Sequence, residues 1–327
     1  MKCLVLTTAA FLAFAGSTSI SLHAQTASVK VEPEVAHNTW TSGASRSTAV
    51  NWPATGVVKG KIYVVGGYTG GPPSSGTQVY DPIGNSWSSA APIPTATGQA
   101  TAAVVKNVLY IFGGSNNGGG TVFNSVWAYN PKTNTWAAKA PMPTARCSAV
   151  AVADKSSIIY VIGGYNSGAR LNTVEAYDPL TDKWVEAASL LQGKTEIAAG
   201  LIAKTTIVAA DGFTSGADTG DNEAYDIATN TWKSLASDPV ARNGTCFGVV
   251  GSKLYVSDGN DNGNGPVTVM ESFNLHKNAW SSLATMPNAV TDSGSAVYKG
   301  RLYCLGGGNN AVPPNNTVYN YVQIYQP

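Results

Sequence analysis

Short runs of β-branched and aromatic residues recur along the chain, and each stops at a glycine pair or its equivalent. Ile62-Tyr63-Val64-Val65 runs into Gly66-Gly67, and similar runs precede Gly113-Gly114, Gly163-Gly164, Asp211-Gly212, Asp258-Gly259 and Gly306-Gly307, at intervals of 47 to 50 residues. Apolar runs of this length are too short for helices and predict buried strands. Further along each unit an aromatic residue is followed seven positions later by a tryptophan: Tyr80 and Trp87, Tyr129 and Trp136, Tyr177 and Trp184, Tyr225 and Trp232, Phe273 and Trp280. Turn residues lie between them, Asp81-Pro82, Asn130-Pro131 or Asp178-Pro179, and then Asn85, Asn134, Asp182, Asn230 or Asn278 two positions before the Trp. Asx and Pro favour tight turns, so each aromatic and its Trp are predicted on neighbouring antiparallel strands of one hairpin. A unit of this length holds four short strands and leaves no room for a helix.

A glycine pair after an apolar strand, then a Tyr, then a Trp, repeated over nearly all of the chain, resembles the kelch family. The resemblance implies an all-β fold, a β-propeller in which every repeat forms one four-stranded blade around a central channel. Glycines would allow close backbone approach where the channel narrows, and the large rings would fill the wedge between blades.

The chain ends fix the number of blades. The last unit closes on Val322-Gln323-Ile324-Tyr325-Gln326-Pro327, with a Tyr and no Trp, whereas Asn38-Thr39-Trp40 supplies a Trp with no Tyr before it. Joined, the two halves make a complete unit, so a six-bladed ring is predicted whose last blade is closed by the N-terminal strand. Closure removes the exposed strand edges that β proteins must otherwise protect. The departures Asp211, Asp258 and Phe273 read as repeat drift, with a ligand role for the two aspartates as the alternative.

Composition narrows the setting. Charged residues are 12% of the chain, with 20 basic against 19 acidic side chains, and no basic run occurs. This lacks the electrostatic footprint of a nucleic-acid binder. Lys2, the apolar stretch Cys3–Ala15 and Leu22-His23-Ala24-Gln25 match a secretory signal peptide over residues 1–24, followed by a short linker 25–36 and the propeller 37–327. The expected location is secreted or periplasmic, with no membrane span after cleavage. Of the cysteines left, Cys147, Cys246 and Cys304, the odd count and wide spacing read as buried thiols, with a Cys246–Cys304 pair as the alternative.

Candidate chemistry is sparse. His37 and His276 are the histidines outside the leader, and neither has a second ligand at metal spacing, so neither metal nor cofactor is expected. The galactose-oxidase branch of the resembled family, which places two His and two Tyr with a cross-linked Cys on copper, is therefore not matched. There is no Gly-x-Ser-x-Gly elbow and no phosphate loop. The glycine-rich stretch 116–120 reads as a hairpin loop.

The segment leading from each Trp strand into the next blade carries, in turn, Arg46, Gln99, Arg146, Lys194 with Glu196, Arg242 and Asp292. In kelch propellers this segment shares a face with the residues after the glycine pair, here Tyr68, Ser115, Tyr165, Phe213, Asn260 and Gly308. Aromatic faces and forked donors around a shallow cup suit a sugar or a peptide. The arginines equally suit the interblade hydrogen bonds that kelch repeats make at this position. The ligand-binding set expected is Arg46, Tyr68, Gln99, Arg146, Tyr165, Lys194, Glu196, Phe213, Arg242, Asn260 and Asp292. The leading expectation is a recognition module for a glycan or an extracellular protein. The second, from resemblance to the sialic-acid mutarotase type of kelch ring, is a metal-independent sugar mutarotase with Glu196 as its catalytic acid or base. The third is an adhesive scaffold. Fold alone does not choose among them.

Overall fold

The computed structural model describes residues 37–116, 120–309 and 317–327. The leader, the linker and residues 117–119 of the glycine-rich loop lie outside the described residues. Six four-stranded antiparallel sheets follow one another in a ring. Blade 1 contains Ala54–Val58, Lys61–Val65, Thr77–Asp81 and Ser86–Ala90 from the axis outward. Blades 2 to 5 repeat this order. Blade 6 combines Gly294–Tyr298, Arg301–Leu305 and Val322–Gln326 with Thr39–Ser42 as its outer strand, in the register Trp40 opposite Tyr325. In blades 1 to 5 the aromatic likewise sits opposite its Trp, as Tyr80 does Trp87 and Phe273 does Trp280.

The second strand of each blade is buried on both faces, which is why it reads as an unbroken apolar run rather than an alternation. The third-strand tyrosine packs against the second strand of the preceding blade: Tyr129 on Tyr63 at 5.4 Å, Tyr177 on Tyr110 at 6.0 Å, Tyr325 on Tyr255 at 6.0 Å. A polar lock accompanies these rings. Trp87 Nε1 donates to the Ala44 carbonyl at 2.8 Å, and Asn85 Oδ1 accepts from the Ala44 amide at 2.6 Å. The same pair of bonds holds Ala91, Ala140, Ala188, Ala236 and Ala284, each just past the outer strand of the preceding blade. The Trp and Asx of one blade therefore grip both backbone groups of an alanine of its neighbour, and that alanine recurs at all six junctions.

The two glycine positions differ physically. The first has φ of +60° to +79° in four blades and is filled by Asp211 and Asp258 at +59° and +55°, a left-handed conformation that aspartate tolerates. The second is always Gly, because a Cβ there would meet a carbonyl of the neighbouring connection, as Gly114 would meet Gly98 O at 2.7 Å. Asp211 and Asp258 are fully buried and face neither solvent nor the channel cavity.

One expectation about the cysteines is corrected. Cys246, on the inner strand of blade 5, and Cys304, on the second strand of blade 6, form a disulfide that staples adjacent blades, and among the described residues Cys147 alone is a buried thiol. The spacing of 58 residues hid the pair because blade stacking, not local sequence, brings the two strands together.

The channel mouth as candidate functional site

Every connection enters its blade past the glycine pair of the preceding one. An isolated antiparallel bridge then ties it to the residue after the glycine pair of the blade it enters: Asn51 to Tyr68, Gly98 to Ser115, Cys147 to Tyr165, Thr195 to Phe213, Asn243 to Asn260, Thr291 to Gly308. The next residue of each connection, Trp52, Gln99, Ser148, Glu196, Gly244 and Asp292, turns into the channel with φ between +48° and +63°. Five backbone hydrogen bonds link these six in series around the channel, from Gly244 through Asp292, Trp52, Gln99 and Ser148 to Glu196. Gln99 N–H donates to Trp52 O, Ser148 to Gln99, Glu196 to Ser148, Asp292 to Gly244 and Trp52 to Asp292, at 2.6 to 3.1 Å.

Beneath this ring lies a cavity of about 270 Å³, lined by all six residues and by the small side chains of the inner strands, among them Thr55, Thr101, Ala151, Ser293 and Ser295, with Phe247 at one wall. Two carboxyls face it. Glu196 is set deep in the ring while its side chain reaches the cavity; burial pushes its pKa up to about 7, helped by the charge of Asp218 and opposed by a hydrogen bond from Ser148 and by Arg170. Asp292 is held well above the usual carboxyl range by burial first, then by the charges of Glu196 and Asp258. Gly244 separates the two in the ring, and a Cβ on it would strike the Asp292 carboxyl. The Asp292 carboxyl is turned toward the Trp52 indole N–H and the Thr291 hydroxyl, so the cavity wall sets a carboxyl beside an indole donor. A carboxyl poised near neutrality can give or take a proton, and the remaining wall supplies hydrogen bonds and one indole face.

The expected site residues divide into three groups. Gln99, Glu196 and Asp292 line the cavity, and Gln99 Oε1 accepts from Ser115 Oγ at 2.9 Å, which in turn meets the Tyr68 hydroxyl at 2.8 Å. Tyr165 and Phe213 are half-exposed beside the mouth, whereas Asn260 is buried against Asn243.

The expected convergence of Arg46, Arg146, Lys194 and Arg242 on the mouth is corrected. Arg146, Lys194 and Arg242 are at most 1% exposed and bind the third-strand acids of the blade they enter: Glu175 at 2.9 Å, Glu223 at 3.1 Å and Glu271 at 3.0 Å. Arg146 also donates to the carbonyls of Gly163 and Thr173, so it props up the loop that follows the glycine pair. Arg242 carries Asp238 and Asp211 as well, and this surplus of acid pushes Asp211 well above its ordinary range and Glu271 up to about 8, burial being the larger cause for both. Arg46 lies 5% exposed over the Trp87 ring and donates to Gln78; burial lowers its pKa to about 9. These cations belong to the blade junctions and not to the cavity.

Sequence reasoning missed Trp52 and Ser148, although both fall on the spacing of Gln99, Glu196 and Asp292 once position is counted from the bridge residue. The constant offset of 29 between Arg242 and Glu271, and likewise between Arg146 and Glu175 and between Lys194 and Glu223, was a second available signal. Arg170 was missed for a different reason. It pairs with Tyr165 in a small hairpin, Tyr165–Asn166 with Ala169–Arg170, at the position where Pro73 pairs with Tyr68 and Asp218 with Phe213, and the residue type there changes from blade to blade.

Six blades closed by the N-terminal strand, with connections and glycine-pair loops meeting at one mouth, define a six-bladed β-propeller with a polar cavity in its channel. The family model described as the KLHDC2/KLHL20/DRC7 Kelch-repeats domain matches residues 3–211 and 48–256, and the Kelch motif model matches residues 241–287. The chain belongs to the kelch-repeat family. Among solved structures it is similar to "Structure of YjhT", with 18% identity over 86% of this chain and 96% of that one and a TM-score of 0.74, a likeness of fold. No curated protein matches the chain.

Proposed function

We propose that this protein is a secreted or periplasmic recognition module that binds a carbohydrate at the channel mouth. The observation carrying this reading is the cavity of about 270 Å³ ringed by Trp52, Gln99, Ser148, Glu196 and Asp292. Its volume lies near the lower end of small-molecule sites, which suits one sugar ring or the end of a glycan better than a protein surface. Its wall mixes an indole, two carboxyls, an amide and hydroxyls, the groups that answer the alternating apolar and hydroxylated faces of a sugar. The Cys246–Cys304 disulfide supports an oxidising compartment, as the leader-like N-terminus does. A glycan array probed with the leaderless protein, repeated with Gln99→Ala and Glu196→Gln, tests it. A selective signal lost in the variants is expected; binding unchanged in both would move the site off the mouth.

A second reading, a metal-independent sugar mutarotase, is favoured by one observation. The Glu196 carboxyl, pushed up to about 7, is poised to exchange a proton with a sugar hydroxyl or ring oxygen. Polarimetry of a reducing sugar identified on the array separates the two. A binder leaves the rate of anomer interconversion at its spontaneous value, whereas a mutarotase raises it and loses the effect in Glu196→Gln with binding retained.

A further inference from the structure

The cations at the blade junctions are neutralised or hydrogen-bonded, but Arg170 is not. Its guanidinium carbon lies 4.8 Å from the Phe213 ring centroid and 5.5 Å from that of Tyr165, so two aromatic rings hold it, one from blade 3 and one from blade 4. Among the described residues it forms no ion pair, and its buried Nε has no hydrogen-bond partner. The hairpin that carries it turns at Ser167 and Gly168, both with positive φ, and its base is bridged through Tyr165 to Cys147, the residue before Ser148 in the mouth ring. Arg170 is close enough to Glu196 for its charge to act on that carboxyl, yet not paired with it. Rings hold a guanidinium by its faces and leave its edge, where the N–H donors lie, without an acceptor.

We propose that Arg170 reads an oxyanion, a carboxylate or a sulfate, on the ligand whose uncharged part enters the channel cavity. The inference rests on the reading of the mouth as a ligand site, and it makes that ligand an acidic rather than a neutral sugar. Guanidinium forks pair with planar carboxylates through two parallel bonds and with sulfate through charge-assisted ones, and clamping by Tyr165 and Phe213 removes much of the ordering cost. Glu196 repels the same anion if it approaches the ring itself, which fixes the polarity of binding: charged group at Arg170, hydroxyls toward Gln99 and Ser148.

The test is an NMR titration of the leaderless protein with methyl β-D-glucuronide, its sulfated counterpart methyl β-D-glucoside 6-sulfate, and neutral methyl β-D-glucoside. The Arg170 Nε–H and the backbone amides of Gln99 and Ser148 are the reporters. The expected result is a saturable shift of Arg170 Nε–H with one or both acidic sugars and none with the neutral one, the more effective acid naming the oxyanion. Arg170→Gln, on an exposed hairpin, should keep the melting temperature and weaken the acidic sugar at least about tenfold, leaving the neutral one unchanged. If Gln99 and Ser148 respond to all three sugars while Arg170 does not, or if Arg170→Gln binds the acidic sugar as before, the inference falls and the mouth remains a site. If none of the three reporters responds to any sugar, the inference and the carbohydrate reading fall together.

Discussion

The Tyr325 hydroxyl donates to Asn38 Oδ1 at 2.8 Å across 287 residues of sequence. The same bond joins Tyr80 to Asn85 and Tyr129 to Asn134 across five residues, so the two chain ends rebuild a local turn bond of the other blades. Asn38 and Trp40 then grip Ala284 of blade 5, as Asn85 and Trp87 grip Ala44.

Removing residues up to Ser42 should therefore leave blade 5 without its lock and blade 6 without its outer strand. Trp40→Ala alone should lower stability by about 2–4 kcal/mol, since a large ring packed 5.2 Å from Tyr325 and an indole bond are lost together. Thermal unfolding of the truncated and full leaderless chains checks this, and equal melting temperatures would refute closure by the N-terminal strand.

Arg146→Ala should destabilise the ring by about 3–5 kcal/mol, because it strands Glu175 in a dry interior, and should leave ligand affinity within about twofold. Denaturant unfolding together with a binding titration measures both. Intact stability with lost binding would return this residue to the working face.

Stability should rise as pH falls from about 9 towards 5. Asp211, Asp258 and Asp292 are held well above the ordinary carboxyl range and Glu271 at about 8, so the folded protein keeps protons that the unfolded chain releases near pH 4. Raising the pH through this window favours the unfolded state. Melting temperatures at pH 5.5 and 8.5 should differ in that direction, and Glu271→Gln should narrow the gap; a higher melting temperature at pH 8.5 would contradict the buried-acid account.

Reduction of Cys246–Cys304, or its replacement by two serines, should cost about 2–5 kcal/mol, since the bond ties blade 5 to the blade that closes the ring. Thiol titration of the unfolded, unreduced leaderless chain should find one free group, Cys147. Three titratable thiols would show that the staple is not formed.

Most of the fold was legible in the chain because every repeat carries its own turn and strand signals, and because Tyr325 and Trp40 are the two halves of a sixth pair. Gly212 and Asp211 were legible only in part: the sequence showed that the second position never varies, whereas the carbonyl that forbids a Cβ there belongs to another connection. The basic residues resist a sequence reading because Lys194 and Glu196 lie two positions apart on one connection and yet face different environments. The connection turns at Glu196, sending that side chain to the channel and its neighbour Lys194 to Glu223.

By itself the sequence determined the number of blades, the closure and the registers of Tyr and Trp, since these depend on contacts within one repeat or between its two ends. Only the tertiary structure decided which charges are buried and which face the cavity, that Cys246 meets Cys304, and that Tyr165 and Phe213 hold Arg170 between them. Those relationships join different blades, and the angle at which one blade packs on the next is set by the whole ring rather than by any local run of residues.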